Sequence, residues 1–396
     1  MIVRRPSLML IALEAALIAL FLPVFFGQAL YWGLPSLQFV PWRVEATHQL
    51  ADGVFPFWNS LNGGGAPLFA NYQSALLYPP GWLAFLTSPA WALSLLTVLH
   101  LFLAGWGMFA LTRAIGCTST GAAASALAFG AGSFLVARAG TYPIVMTAAW
   151  LPWLLFVIHR WLCEGRRSAL TGASIITLLM LLAGHAQMAW YSFTLAGLYA
   201  LWLVSIRRAT PKRLPALVGA VILAILAASL QLVATGELLT LSQRGSGVER
   251  DFALNFSFAP ARFLTLLNAN ALGTPADGSF VTGGAYFEDA VYVGLVPLVA
   301  AGFALLLAVR RRHNPDTLVS PVVFWALIGF TGVVLALGRH TPVFVFLYEY
   351  VPTFDLFQAP ARWMLWLVCA LAVLAAIGIS WVERTPALSR WTRRLM

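Results

Sequence analysis

Ten apolar stretches, most of them close to twenty residues long, recur along this 396-residue chain and leave little freedom in how it folds. A helix needs about 20 predominantly apolar residues to cross a bilayer core. Backbone polar groups inside lipid must be satisfied within their own segment, which a helix does. The stretches lie at about 8–26, 90–111, 121–136, 144–162, 170–183, 188–206, 217–234, 291–309, 319–337 and 363–381. Charged residues make up 10% of the chain, against about 25% in ordinary soluble domains. A soluble enzyme is thereby excluded. The expected class is an all-α polytopic membrane protein of about ten transmembrane helices, built as a single integral membrane domain over residues 1–396.

Charge placement sets the expected orientation. Seventeen of the 24 Lys and Arg residues fall at the termini or in the short turns after the second, fourth, sixth and eighth stretches. The other seven are Arg43, Arg138, Arg244, Arg250, Arg262, Arg339 and Arg362. Basic residues favour the cytoplasmic side. Both termini are therefore expected in the cytoplasm, with three long loops, at about 27–86, 236–287 and 338–362, facing outward. Topology accounts for the net charge of +10, so no nucleic-acid partner is expected and membrane lipid is. The first stretch has the flanks of a signal peptide, Arg4-Arg5 and Gly27-Gln28-Ala29. It is longer than a signal core and holds Glu14, so an uncleaved helix is expected. Cys117, Cys163 and Cys369 form no CxxC pattern, and neither a disulfide nor a zinc site is expected.

The residues from Gln38 to Pro80 form a polar interruption in this apolar chain. They begin with a segment, Gln38 to Leu50, that fits a short juxtamembrane amphipathic helix. Phe39, Trp42 and Leu50 share one side of it, and Arg43, Glu45 and His48 lie elsewhere. An interfacial helix on lipid headgroups has the same pattern. The run WNSLNGGGAP then carries turn signals. Its three glycines suit either a ligand approaching the backbone or a flexible connector, and no GK[ST] follows to make a phosphate loop. Gly184-His185-Ala186-Gln187 stands at the end of the fifth stretch, where His and Gln suit ligand contact or helix capping equally. Charges at the loop borders, among them Arg244 and Glu288-Asp289, either pair with one another or face a polar cavity.

In order along the chain, Gln38-Phe39, Pro41-Trp42-Arg43, Trp58-Asn59, Gly63-Gly64-Gly65-Ala66-Pro67-Leu68, Asn71, Gln73 and Tyr78-Pro79 resemble the YfhO family of bacterial membrane proteins. Trp150-Leu151-Pro152-Trp153, Gly184-His185-Ala186-Gln187, Tyr292-Val293-Gly294 and Pro360-Ala361-Arg362 agree with it. That family is similar to the GT-C-like superfamily of glycosyltransferases. The resemblance implies transfer of a sugar from a polyprenyl-phosphate carrier to a cell-envelope glycan or lipid, at the outer face of the bacterial cytoplasmic membrane. An acid in the first outer loop would act as base on the acceptor hydroxyl, and basic residues would hold the phosphate. Relatives carry a Gly-Asp pair just before the loop's Gln, whereas here Gly33-Leu34-Pro35-Ser36-Leu37 holds no acid. Family members continue with further spans and an outer domain, so a truncated form of the longer architecture is expected.

The base candidates are therefore Glu45, Asp52 and Glu288. Arg43, Arg244 and Arg362 are the phosphate candidates, and Trp58, Asn59, Asn71, Gln73, His185 and Gln187 the sugar or acceptor contacts. No cofactor is expected. A divalent metal is left open but unsupported, since no DxD occurs and Glu288-Asp289 is a weak substitute. The rival expectations are an inactive member that binds a glycan or lipid or scaffolds an envelope complex, and a polyprenyl-glycan transporter. Transport would call for charges deep within several stretches, and only Glu14 qualifies.

Overall fold

The computed structural model describes residues 8–31, 33–245, 247–280, 285–311 and 318–385. Each apolar stretch is helical. In chain order the principal helices are α1 (Leu8–Leu20), α2 (Val40–Ala51), α3 (Pro89–Ile115), α4 (Ser119–Gly130), α5 (Tyr142–Ala148), α6 (Leu151–Glu164) and α7 (Arg167–Leu182). They are followed by α8 (Ala186–Ser205), α9 (Leu214–Ala227), α10 (Ser229–Thr240), α11 (Leu295–Arg311), α12 (Val319–Ala336), α13 (Pro342–Tyr350) and α14 (Met364–Arg384). Among the described residues the only sheet is a two-residue ladder of β1 (Trp58–Asn59) and β2 (Ala66–Pro67).

Among the described residues five helical segments are long and apolar enough to cross a membrane: Pro89–Ile115, Ser119–Val136, Tyr142–Glu164, Ala186–Ser205 and Pro360–Arg384. The bent pair Pro211–Ala227 and Ser229–Thr240 makes a sixth if it is one span, and α7, α11 and α12 are shorter apolar helices. The sequence suggested about ten full spans. Several apolar stretches are broken or cut short before reaching full length: α1 ends just ahead of Pro23, and α9 and α10 meet at Ala228 at an angle of 68°. Rows of large apolar side chains still face outward at helical spacing, as in Val218, Ile222 and Leu226 on α9 and Val323, Leu327 and Phe330 on α12. Such rows are costly in water and neutral against lipid.

Helix α14 is the axis of the bundle, packed against α4, α11 and α12. Small residues make this possible, as is usual where no hydrophobic force drives helices together. A Cβ on Gly378 would stand 2.1 Å from the Ala300 carbonyl oxygen, and one on Gly121 would stand 2.4 Å from that of Ala376. The Ser380 hydroxyl donates to the Ala376 carbonyl and accepts from the Thr118 amide at 2.9 Å.

The polar interruption is folded rather than loose. Pro35–Phe39 forms a π-helical turn that runs straight into α2. The buried face of this helix differs from the one expected: Phe39, Val40, Arg43 and Ala46 point inward, while Leu50 is exposed. Arg43 takes the inward place because its head finds carbonyls there. The WNSLNGGGAP run is a β-hairpin with Trp58 opposite Pro67 and Asn59 opposite Ala66. Helix α10 holds the loop from the far side. Gln231 Nε2 donates to the Phe69 carbonyl at 3.0 Å, and Thr235 Oγ1 donates to that of Ala70 at 3.0 Å. These bonds satisfy two polar groups that a lipid-facing helix could not.

The hairpin rests on Gly65, which has φ +103° and whose substituted Cβ would lie 2.2 Å from Trp58 Nε1. Gly63 has φ +53° and open space around it. Gly65→Ala is therefore expected to destabilise the loop by about 2 kcal/mol or more, and Gly63→Ala by about 1 kcal/mol. Limited proteolysis between residues 58 and 67 in detergent should accelerate strongly for the first variant and only slightly for the second.

Candidate functional site

The polar parts of the three long loops meet around Gly184-His185-Ala186-Gln187, the knuckle between α7 and α8. Gly184 has φ +88°, and a Cβ there would come within 2.9 Å of the Tyr72 carbonyl oxygen of the first loop. Tyr72 OH in turn donates to the Leu181 carbonyl at 2.5 Å. His185 caps α8, its Nδ1 accepting from the Met188 amide at 3.2 Å. The nitrogen that accepts there carries no proton, so any remaining ring proton sits on Nε2. Two residues on, Gln187 reaches the third loop. Its Oε1 accepts from Arg362 Nη1 at 2.8 Å, while its Nε2 donates to the Gln358 carbonyl at 2.6 Å and to Tyr191 OH at 2.8 Å.

Arg362 leads to the second loop. Its Nε lies 2.9 and 3.1 Å from the two carboxylate oxygens of Glu288, and its Nη2 also donates to Oε1. Arg138 completes the embrace from the turn after α4. Its Nη2 donates to Glu288 Oε2 at 3.2 Å and to the Glu288 carbonyl at 2.9 Å, and its Nη1 to the Phe134 carbonyl at 2.8 Å. Its guanidinium lies 4.0 Å from the Phe134 ring centroid. The side chains of Arg138 and Glu288 are 0% and 1% exposed, so this is an ion network withdrawn from solvent. Beside it Asp289 pairs with Arg262 at 3.0 Å.

The electrostatics follow from this geometry. Burial alone would raise the Glu288 carboxyl. The fields of Arg362 and Arg138, with their hydrogen bonds, outweigh that and hold it below the ordinary carboxylate value. Asp289 goes the other way, raised by burial that its pairing with Arg262 only partly offsets. A carboxylate held by two guanidiniums is a poor proton acceptor at neutral pH. Glu288 is thus built as an anchor, with both carboxylate oxygens engaged by guanidinium groups.

The other acids stand apart from it. Glu45, half-buried on α2, accepts from Gln49 Nε2 at 2.7 Å, and that amide also donates to the Trp58 carbonyl at 2.7 Å. Asp52 is exposed at the C-terminal cap of α2. Asn59 is buried and accepts from the Leu61 amide at 2.9 Å, Asn71 caps the turn Tyr72–Ser74 by accepting from Gln73, and Trp58 and Gln73 are exposed. Arg244 is exposed, with its guanidinium 5.6 Å from the Phe252 ring centroid. The structure gathers His185, Gln187, Glu288 and Arg362 into one cluster and leaves Glu45, Asp52 and Arg244 at the surface.

Arg43 is 4% exposed. Its Nη2 donates to the Ser74 and Ala75 carbonyls at 2.8 and 3.4 Å, and its guanidinium lies 4.9 Å from the Phe85 ring centroid. Burial lowers it to about 10, which leaves it charged at neutral pH.

Arg138 and Arg262 were not singled out from the sequence, whereas pairing was one of the two readings left open for Asp289. The available signal was the sign of their charge: all three lie outside the segments expected in the cytoplasm, and a charge bordering an apolar stretch needs a partner. Among the described residues no three His, Cys, Asp or Glu side chains converge as a metal ion would require. No protein-family model matches the chain, and no curated protein is significantly similar to it.

Removing the Glu288 charge strands the buried Arg138 guanidinium and the partly buried one of Arg362. Glu288→Gln is expected to cost about 3–5 kcal/mol, read as a fall in melting temperature of the purified protein in detergent. Because the folded-state value of Glu288 is depressed, its contribution is complete above the unfolded value of about 4.3 and is lost as pH falls through the folded one. The raised value of Asp289 acts in the opposite sense. The melting temperature of the Glu288→Gln variant should therefore fall less than wild type as the pH drops below about 4.

Proposed function

We propose that this chain is a membrane glycosyltransferase of the GT-C-like type, related to the YfhO family. It moves a sugar from a polyprenyl-phosphate carrier to a cell-envelope glycan or lipid at the outer face of a bacterial cytoplasmic membrane. In this reading the apolar stretches form about ten spans, both termini are cytoplasmic and the three long loops face outward. The observation that supports it is the convergence of those loops on the Gly184–Gln187 knuckle, where polar side chains from all three sit at the end of an apolar bundle.

The chemistry divides among residues by availability. The acceptor hydroxyl oxygen attacks the anomeric carbon, the bond to the phosphate oxygen breaks, and the electron pair leaves with the phosphate. The proton of the hydroxyl goes to Glu45, half-buried, or Asp52, exposed, the acids of the first loop that no arginine holds among the described residues. Arg244, exposed at the start of the second loop, supplies charge to the departing phosphate. Glu288 and Arg362 serve as framework, since each already satisfies the other.

A second reading is a glycan- or lipid-binding member without transfer activity. It is favoured by the withdrawal of Glu288 into ion pairs and by the absence of an acid in Gly33–Leu37.

The deciding experiment is reconstitution in liposomes with a radiolabelled polyprenyl-phosphate sugar and envelope acceptors. Label should pass to an acceptor, and Glu45→Ala or Asp52→Ala should lower turnover by about 100-fold or more. Turnover unchanged in both variants would remove the first loop as the source of the base. Retention of the labelled lipid with no transfer by wild type would establish the binding reading.

A further inference from the structure

Beneath α2 lies a cleft of about 20 Å³, lined by Arg43, Ser74, Gln73, Trp42 and Tyr142 among others. Two donors in its wall have no acceptor among the described residues: Arg43 Nη1 and the Ser74 hydroxyl, both fully buried. The two carbonyls and the aromatic ring that contact Arg43 carry only partial charge. Among the described residues no carboxylate pairs with it. A guanidinium does not shed its proton at neutral pH, and a buried charge without a counter-charge is strongly unfavourable.

We propose that this cleft is a site for one small monovalent anion, a halide such as chloride, which neutralises Arg43. Size decides the class. A single water-sized particle needs about 10–15 Å³ of such volume, so the cleft is sized for one monatomic ion. The lining decides the preference. Trp42, Phe39, Leu93 and Met146 offer soft apolar contact, which suits a weakly hydrated halide better than fluoride. The ion accepts from Arg43 Nη1 and Ser74 Oγ, which supplies the two missing acceptors. Its effect is to fasten α2 to the turn Tyr72–Ser74, and so to fix the wall of the first loop. This goes beyond the proposed transfer activity and does not depend on it.

The test is thermal unfolding of the purified full chain in detergent at constant ionic strength, with gluconate replaced stepwise by chloride. The melting temperature should rise saturably by roughly 2–4 °C, bromide should act at least as well, and fluoride and sulfate should not. Arg43→Met and Ser74→Ala should each abolish the chloride dependence, whatever they do to the starting stability. Should Arg43→Met fail to fold, bromide-soaked crystals of the wild type provide the second measurement, with an anomalous peak expected between Arg43 and Ser74. Superimposable melting curves in chloride and gluconate, or an empty anomalous map there, would overturn the proposal in favour of a water molecule. Equal stabilisation by sulfate would overturn it in favour of an oxyanion site.

Discussion

The meeting of the second and third loops with the knuckle depends on one carboxylate held by two arginines. Glu288 receives Arg362 from the third loop and Arg138 from the turn after α4, and Arg362 then passes the constraint to Gln187. The charges have left water, so none of the partners can depart singly without stranding the others. Four segments far apart in the chain are thereby locked into one arrangement. A buried ion network is an expensive way to gain stability, but an effective way to choose one packing among many apolar alternatives. That matters in a bundle whose helices are otherwise Leu, Ala and Val against each other.

The first loop is tied to this centre indirectly. Tyr72 bonds Leu181, Gly184 seats against the Tyr72 backbone, and Gln231 and Thr235 hold the Phe69 and Ala70 carbonyls. The loop is thus clamped between α7 and α10, leaving one face of α2 free. Glu45 and Asp52 lie toward that free side and Arg43 lies on the clamped side.

The helical class was legible because apolar stretches of this length admit no other structure in lipid. Their ends were legible to within a few residues, as with the fourteenth helix at Met364–Arg384 against an expected 363–381. The count of full spans was not, because hydropathy does not register a bend such as that at Ala228. The knuckle was recognised by its His and Gln. The partners of Glu288 were not, since nothing local in the ARAGTYP segment says that Arg138 must reach 150 positions along the chain. The orientation of Arg43 was misjudged for a related reason. Amphipathicity assigns an arginine to the wet face, but carbonyls at the end of a neighbouring turn gave this one a place inside.

The bend at Ala228 also bears on how the protein fits its membrane. Helices α9 and α10 have 14 and 12 residues, and laid end to end they would measure about 39 Å. The hydrocarbon core is about 30 Å thick. Folding the second limb over by 68° shortens the reach along the first to about 28 Å. The kink thus acts as a length adjuster: it shortens a run that would otherwise exceed a bilayer core and turns the second limb into a shelf, which holds the Phe69 and Ala70 carbonyls of the first loop.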